Sequence, residues 1–396
     1  MSRILKYIGY LLFLPFWWLQ LLVPRKKNIW IFGAWYGNRF SDNSKYLYLY
    51  VKRNHPNIKA VWLTKDSLIR EKVIQEGGFS YLTNSFMACY YSLLAKNIIV
   101  SSGKRDVNYL FINGAKKIQL WHGNPMKKIG LDDKNSNVHS LFQRRIVPII
   151  FPFISEFNYD FVISNSGIFS EKMASAFNVS LSRILETGCP RNDIFYCDKT
   201  DVFNNELRKK FKGCKIIYYL PTFRNHIEAK SLFNLEDFDK SKINEFLEKE
   251  NLVFVNKGHY VDNNLNGDIE DLNSRIISLS DKKVSDINFM LKDADLLVTD
   301  YSGAYFDYLL TEKPLIFAAF DLEEYKSSSR EIYFNYEEIV AGPIVKDWSE
   351  LMKSLQTIWG QEKYANLVKD KNRIFNKFHD SNNSKRVFES LLNIQK

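Results

Sequence analysis

The sequence predicts an α/β fold with two doubly wound, Rossmann-like domains facing each other across a cleft, preceded by a membrane-associating helix. Three observations carry this. The pattern alternates strand and helix in both halves of the chain, and such alternation builds parallel sheets through crossover helices. At 396 residues the chain is longer than one hydrophobic core usually serves, so two cores are expected. The first 27 residues hold an apolar run followed at once by basic residues. The expected division is 1–27 for the membrane segment, 28–197 for the first domain and 198–214 for a linker. A second domain then takes 215–360 and terminal helices 361–396.

The apolar run Ile4 to Val23 is interrupted only by Lys6, Gly9, Tyr10, Pro15 and Gln20. Its length approaches the roughly 20 residues that cross a bilayer. Pro15 falls in mid-run, and the Trp17 and Trp18 indoles prefer the headgroup level. Arg3, Lys6 and the trio Arg25, Lys26 and Lys27 suit an anionic surface. An interfacial helix or monotopic hairpin is favoured over a bilayer span or a buried helix. No small-residue cleavage site follows, so a signal peptide is not expected.

From Ile29 the elements alternate. Strands are expected at Ile29 to Phe32, Ala60 to Leu63, Ile98 to Val100, Ile118 to Trp121, Phe161 to Ser164 and around Ile184. Helices are expected at Asn43 to Arg53, Leu68 to Gln75 and Phe169 to Phe177. The polar stretch Asp198 to Gly213 separates the halves. Strands then recur at Lys215 to Leu220 and Leu252 to Val255. The stretch from Asp286 to Tyr325 switches period repeatedly. Ile287, Met290 and Leu291 have helical spacing, and Leu296 to Val298 read as a buried strand. Tyr305, Phe306, Tyr308 and Leu309 return to helical spacing, and Leu315 to Phe317 read as another strand. Beyond Trp348 the pattern is helical.

A formal charge of +10 and a pI near 9.1 favour anionic partners. Nucleic acid is not the expected one, because there is no zinc knuckle, basic recognition helix or Arg-Gly tract. Cys89, Cys189, Cys197 and Cys214 show no paired metal spacing, and so few cysteines in so long a chain point to a reducing cytosol. There is no Walker loop and no Gly-x-Gly-x-x-Gly, so nothing supports an ATPase or dinucleotide role. Asp293 and Asp295 would suit a divalent ion, but they precede their strand rather than follow it. A structural role is favoured for the pair, and no metal or other cofactor is expected.

Polar residues gather instead where strands end, which is where open parallel sheets bind ligands. His122, Arg191, Thr222 with Arg224, Lys257 with His259, and Asp300 with Ser302 all follow strands. Arg and Lys are the phosphate-seeking types, and His can serve as base, acid or neutral donor. Ser302 is expected to cap the next helix and to leave its amides to a phosphate.

Four segments carry a resemblance. Gln119-Leu-Trp-His-Gly-Asn-Pro-Met-Lys-Lys-Ile-Gly130, Gly188-Cys-Pro-Arg-Asn-Asp193, Tyr219-Leu-Pro-Thr-Phe-Arg224 and Thr299-Asp-Tyr-Ser-Gly-Ala-Tyr-Phe-Asp307 resemble the CDP-glycerol glycerophosphotransferase family. Members of that family polymerise or prime wall teichoic acids and related capsule chains. The resemblance runs in order from about Ile29 to Val345, and includes Arg330 to Tyr336 and Ala341-Gly-Pro343. It implies a glycosyltransferase-B-like fold and transfer of an alditol phosphate from a CDP donor. Donor-binding positions would be Trp121, His122, Gly123, Asn124, Pro125, Arg191, Pro221, Thr222, Lys257, Gly258, His259, Asp295, Asp300 and Ser302. Asn124 stands where Thr is usual, Tyr260 where Pro is common and Gly303 where a second Ser is frequent, which puts the alditol in question.

The expected reaction is attack of an acceptor hydroxyl on the β-phosphorus of a CDP-alditol, releasing CMP. His122 is the expected base, and His259, Lys257, Arg224 and the Ser302 helix end would hold the pyrophosphate. The expected acceptor is a lipid-linked saccharide or growing polyol-phosphate chain. The expected location is the cytoplasmic face of a bacterial cell membrane, peripheral or monotopic. Two rivals are a nucleotide-sugar glycosyltransferase of similar fold and a non-catalytic membrane protein binding anionic polymer.

Overall fold

Both sheets grow from short apolar runs with few polar breaks. A computed structural model describes residues 3–133, 147–222, 231–257, 274–279, 286–328 and 331–394. By its contacts the chain divides into two compact units. One comprises Met1–His122, Ile129–Asp193 and Asn382–Lys396; the other comprises Gly123–Lys128 and Ile194–Ser381.

The first unit holds β1 (Lys26–Gly33), β2 (Lys59–Thr64), β3 (Phe79–Leu82), β4 (Ala95–Val100), β5 (Lys116–Gln119), β6 (Phe161–Ser164) and β7 (Ile184–Glu186). They lie in the order β3-β2-β1-β4-β5-β6-β7, all parallel. Trp30, Ile31 and Phe32 of β1 and Val61, Trp62 and Leu63 of β2 are fully buried. A parallel sheet covered on both faces requires this, and it explains why the strands read as apolar runs rather than alternating ones. Val387, Phe388 and Leu391 of the helix Asn383–Asn393 complete this core. The Phe388 ring stacks on His55 at 3.7 Å between centroids.

The second unit holds β8 (Lys215–Leu220), β9 (Leu252–Asn256), β10 (Ile276–Ser278), β11 (Leu296–Thr299), β12 (Leu315–Ala318) and β13 (Ile344–Val345). Their order is β10-β9-β8-β11-β12-β13, again all parallel. Trp348 anchors the core, its indole N–H donating to the Leu232 carbonyl at 2.6 Å. Residues 198–214, expected as a linker, include the helix Val202–Lys210, capped by the Asp201 carboxylate. Its polar composition reflects one solvated face, while Leu207 is fully buried.

The N-terminal helix runs Arg3–Leu19 with Pro15 inside it, and among the described residues no helix is long and apolar enough to cross a membrane. One side of it is docked: Trp17 and Gln20 are buried, and Gln20 exchanges hydrogen bonds with the Leu110 carbonyl and the Asn113 amide. The basic trio is divided. Arg25 binds the carbonyls of Ser92 and Asn113, and burial lowers its guanidinium to about 10. Lys26 and Lys27 remain exposed and open β1 three residues earlier than expected.

Candidate active site

In the first unit the sheet order reverses between β1 and β4, the position where open α/β sheets form ligand crevices. The chain leaving β1 turns through Trp35 and Tyr36 and enters the helix Asp42–Asn54. The chain leaving β4 forms the loop Ser101–Asp106. The Asp106 carboxylate accepts the backbone N–H groups of Ser101, Ser102 and Gly103 on one oxygen and of Tyr36 on the other. Burial raises this carboxyl to about 6, and those N–H groups hold it from rising further.

His122 follows β5. Its Nδ1 lies 3.2 Å from the Ser101 carbonyl oxygen. A carbonyl only accepts, so Nδ1 carries the proton and Nε2 is the basic nitrogen of the neutral ring. The ring sits between Trp121 and Trp35, with centroids at 4.0 and 5.2 Å. Arg191 does not extend toward solvent. It is buried, its Nη1 donating to Asp42 at 2.7 Å and to the His122 carbonyl at 2.6 Å. Arg191 thus links Asp42 to the His122 carbonyl within the first unit. Among the described residues seven non-glycine positions have positive φ, and Trp35, Tyr36, Asp42 and Trp121 are four of them. Such strain gathers where surrounding structure over-determines a site.

In the second unit the order reverses between β8 and β11. The Thr222 N–H after β8 donates to both oxygens of Asp300, at 2.8 and 3.0 Å, and Tyr301 N–H adds a third bond at 2.6 Å. Asp300 is fully buried, so it joins two strand ends rather than serving as an exposed base. Lys257 is tied through its N–H to the Tyr219 carbonyl at the end of β8. Pro221 precedes Thr222 and shares that strand end. Ser302 Oγ accepts from Ala304 N–H at 3.3 Å. The helix there, Ala304–Tyr308, is short and places Gly303 rather than Ser302 at the capping position.

Residues 123–128 also belong to this unit. Met126 accepts from Tyr333 N–H and Lys128 N–H donates to Glu331. The Asn124 carbonyl covers Gly303 so closely that a Cβ there would lie 2.5 Å away. Asn124 is buried, and its Nδ2 has no partner among the described residues. Gly123 and Pro125 flank it.

Asp295 is not gathered with these residues. It precedes β11, a strand length of roughly 15 Å from Asp300, and accepts from Ile216 N–H and Arg208. Asp293 accepts from Asp201 N–H. Arg224, Gly258 and His259 lie outside the described residues. Sequence reasoning missed Asp42, Asn43, Ser44 and Asp106. A usable signal existed for the first three, since they open a helix just past the end of β1.

A model of the CDP-glycerol:poly(glycerophosphate) glycerophosphotransferase family matches residues 16–393. The chain belongs to this family. It is accordingly an enzyme, a transferase of the teichoic acid type. Among relatives in the glycerophosphotransferase family, the teichoic acid glycerol-phosphate transferase of Staphylococcus aureus is 27% identical over 92% of this chain and 93% of its own. The teichoic acid poly(glycerol phosphate) polymerase of Bacillus subtilis is 25% identical over 85% of this chain but only 44% of its own length. A structure of a variant of the wall teichoic acid polymerase TagF soaked with CDPG superposes with a TM-score of 0.74. It is 25% identical and covers 93% of this chain and 89% of that one. The UDP-GlcNAc 2-epimerase of Neisseria meningitidis, at 12% identity over 93% of this chain and 100% of its own, shares the fold alone, with a TM-score of 0.57.

Proposed function

We propose that the enzyme transfers glycerol phosphate, or a related alditol phosphate, from a CDP-alditol to a hydroxyl of a lipid-linked saccharide or growing polyol-phosphate chain, releasing CMP. The family match over residues 16–393 carries this reading. Its nearly end-to-end likeness to a glycerol-phosphate transferase supports glycerol phosphate as the transferred group.

In this mechanism His122 Nε2 takes the proton from the acceptor hydroxyl as the oxygen attacks the β-phosphorus. One P–O bond forms, the bond to the bridging oxygen breaks, and that oxygen leaves with CMP. The transition state carries its charge on phosphate oxygens, so fixed cations and N–H groups supply most of the stabilisation. Lys257 is a described cation at a strand end of the second unit, and Arg224 and His259 are proposed to act with it on the pyrophosphate. Trp121, Gly123, Asn124, Pro125, Pro221, Thr222, Gly258 and Ser302 are proposed to contribute to the donor site, with Asp300 fixing the turn at Thr222. The enzyme would work peripherally on the cytoplasmic face of a bacterial membrane. Exposed Leu5, Ile8, Leu11 and Leu12 of the N-terminal helix support that placement.

The test is CMP release from CDP-glycerol and CDP-ribitol, each supplied separately with a glycerol phosphate oligomer as acceptor. Acceptor-dependent release from at least one donor is expected. Turnover of a nucleotide sugar with neither CDP-alditol consumed would favour a glycosyltransferase instead.

A further inference from the structure

Three loops converge on His122 in the first unit, and one tripeptide touches all of them. Asp42 accepts from Arg191 Nη1 at 2.7 Å and from the Trp35 indole N–H. Asn43 Nδ2 donates to the carbonyls of Leu120 at 3.0 Å and Trp121 at 2.8 Å, the two residues that precede the histidine. Asn43 Oδ1 accepts the Arg191 backbone N–H at 3.0 Å. Ser44 Oγ meets Ser101 Oγ at 2.7 Å, and Ser44 N–H donates to the same hydroxyl at 3.1 Å. Ser101 in turn presents the carbonyl that accepts from His122 Nδ1. Asn43, Ser44 and Ser101 are fully buried.

We infer that Asp42-Asn43-Ser44 is the positioning centre of His122, holding the ring in the tautomer whose Nε2 is basic and aiming it through these three loops. The inference rests on the reading of His122 as the base. The residue types fit the task. At position 43 two carbonyls need donors and one N–H needs an acceptor, a set that only an amide of this length supplies. At position 42 a carboxylate holds the guanidinium whose same nitrogen binds the His122 carbonyl. Asp42 and Trp121 have φ of +59° and +53°, and the Asn43 and Arg191 bonds fix the backbone in that unfavourable region. None of the three side chains is required to touch substrate. They act through His122.

A double-mutant cycle tests this on the full chain, using CMP release from the donor that is turned over. Asn43→Ala removes three hydrogen bonds, and Ser44→Ala removes only the hydroxyl contact, so the second variant serves if the first does not fold. Small misplacements of a reacting group cost up to about 100-fold. We therefore expect kcat to fall about 10- to 100-fold in Asn43→Ala and about 3- to 10-fold in Ser44→Ala. Calorimetric donor affinity should change less than about two-fold in both, since this role lies in the chemical step. In a His122→Ala background neither change should lower kcat further. Nitrogen-15 NMR of the ring should show Nδ1 protonated in the parent and a mixture of tautomers in Ser44→Ala.

A full additional loss in the His122→Ala background would overturn the inference alone. So would unchanged kcat in folded variants whose only change is a lower Tm. Near-normal turnover in His122→Ala itself would instead overturn the assignment of the base, and this inference with it.

Discussion

Position 303 has room for a hydrogen and little else, because the atom that faces it is the backbone carbonyl of Asn124, which cannot rotate away as a side chain would. Both residues are also points where the sequence departs from the pattern it resembles, with Gly303 in place of a second Ser and Asn124 in place of Thr. A Ser at 303 would have to displace the segment 123–128. Gly303→Ser is therefore expected to destabilise the protein by about 1–3 kcal/mol and to lower kcat/KM for CMP release. Gly9→Ser is the control, since among the described residues nothing lies within 4 Å of a Cβ there. Equal stability and turnover in the two variants would show that the segment yields without cost. This also marks how much of the site could be read at the level of single residues. The placement of His122, Thr222, Lys257 and Asp300 after strands was legible from the short apolar runs that precede them. The buried pairing of Arg191 was not, because Asp42 lies 149 residues away and nothing local shows it. That Asp295 precedes the strand and Asp300 follows it was legible, but the different backbone groups each carboxylate ties down were not.

Lys104 and Asp106 lie on one loop, and the loop buries both. Burial lowers the Lys104 ammonium to about 7, with Lys117 adding to the effect, and raises the Asp106 carboxyl to about 6. Unfolded, these groups titrate near about 10.5 and 4. Between about pH 4 and 6 the folded state keeps the Asp106 proton that the unfolded chain has released, so this contribution to stability falls as pH rises. Between about 7 and 10.5 the folded state has released a Lys104 proton that the unfolded chain keeps, so stability rises with pH there. Their joint contribution is lowest between about pH 6 and 7. Lys104→Met should raise stability, and by more at pH 6.5 than at pH 9, as measured by urea unfolding. A gain that is larger at pH 9 would refute the argument. Capping of the helix Asn383–Asn393 offers a second test at this scale. Its first N–H groups, of Asn383 and Ser384, donate to the Asp193 carboxylate at 2.8 and 2.9 Å. Asp193→Ala should lower unfolding stability by about 0.5–2 kcal/mol, seen as a lower urea midpoint. The helix itself was plain from the spacing of Val387 and Leu391. Its cap was not, since it sits 190 residues upstream. Short elements escaped for a related reason: β3 and β10 are brief, and only their neighbours in the sheet distinguish them from loop.

At the scale of the whole molecule, the described residues form no helix suited to crossing a bilayer, so a lipid-linked acceptor would be met from the membrane surface. The N-terminal segment divides its residues between two tasks. Trp17 and Gln20 are 4% and 1% exposed and belong to the first unit, whereas Leu12 and Leu22 are each 78% exposed. Ile149 is 77% exposed. It lies next to Phe151, whose ring reaches Tyr7 and Tyr10 of the same helix at 6.0 and 5.6 Å. Apolar side chains held outward beside exposed Lys26 and Lys27 suit an anionic membrane surface. The apolar run and its basic flank were legible in the sequence, but which side chains dock and which project is decided by Phe111, Asn113 and Phe153, far along the chain. Removing Met1 to Val23 outright would therefore strip Trp17 and Gln20 from a packed surface, and is expected to lower Tm as well as membrane binding. Point changes separate the two effects. A leucine transferred from water to an apolar phase contributes about 1.5–3 kcal/mol. Leu12→Glu and Leu22→Glu should each weaken binding to vesicles containing anionic phosphatidylglycerol by at least about ten-fold. CMP release with a water-soluble oligomer acceptor should stay within about two-fold, because the segment docks through Gln20 at Leu110 and Asn113, ahead of β5, whereas His122 follows that strand. Vesicle binding unchanged when Leu12→Glu and Leu22→Glu are combined would show that another surface, or none, meets the membrane. A parallel loss of soluble-acceptor turnover would instead place the helix in the working core of the enzyme.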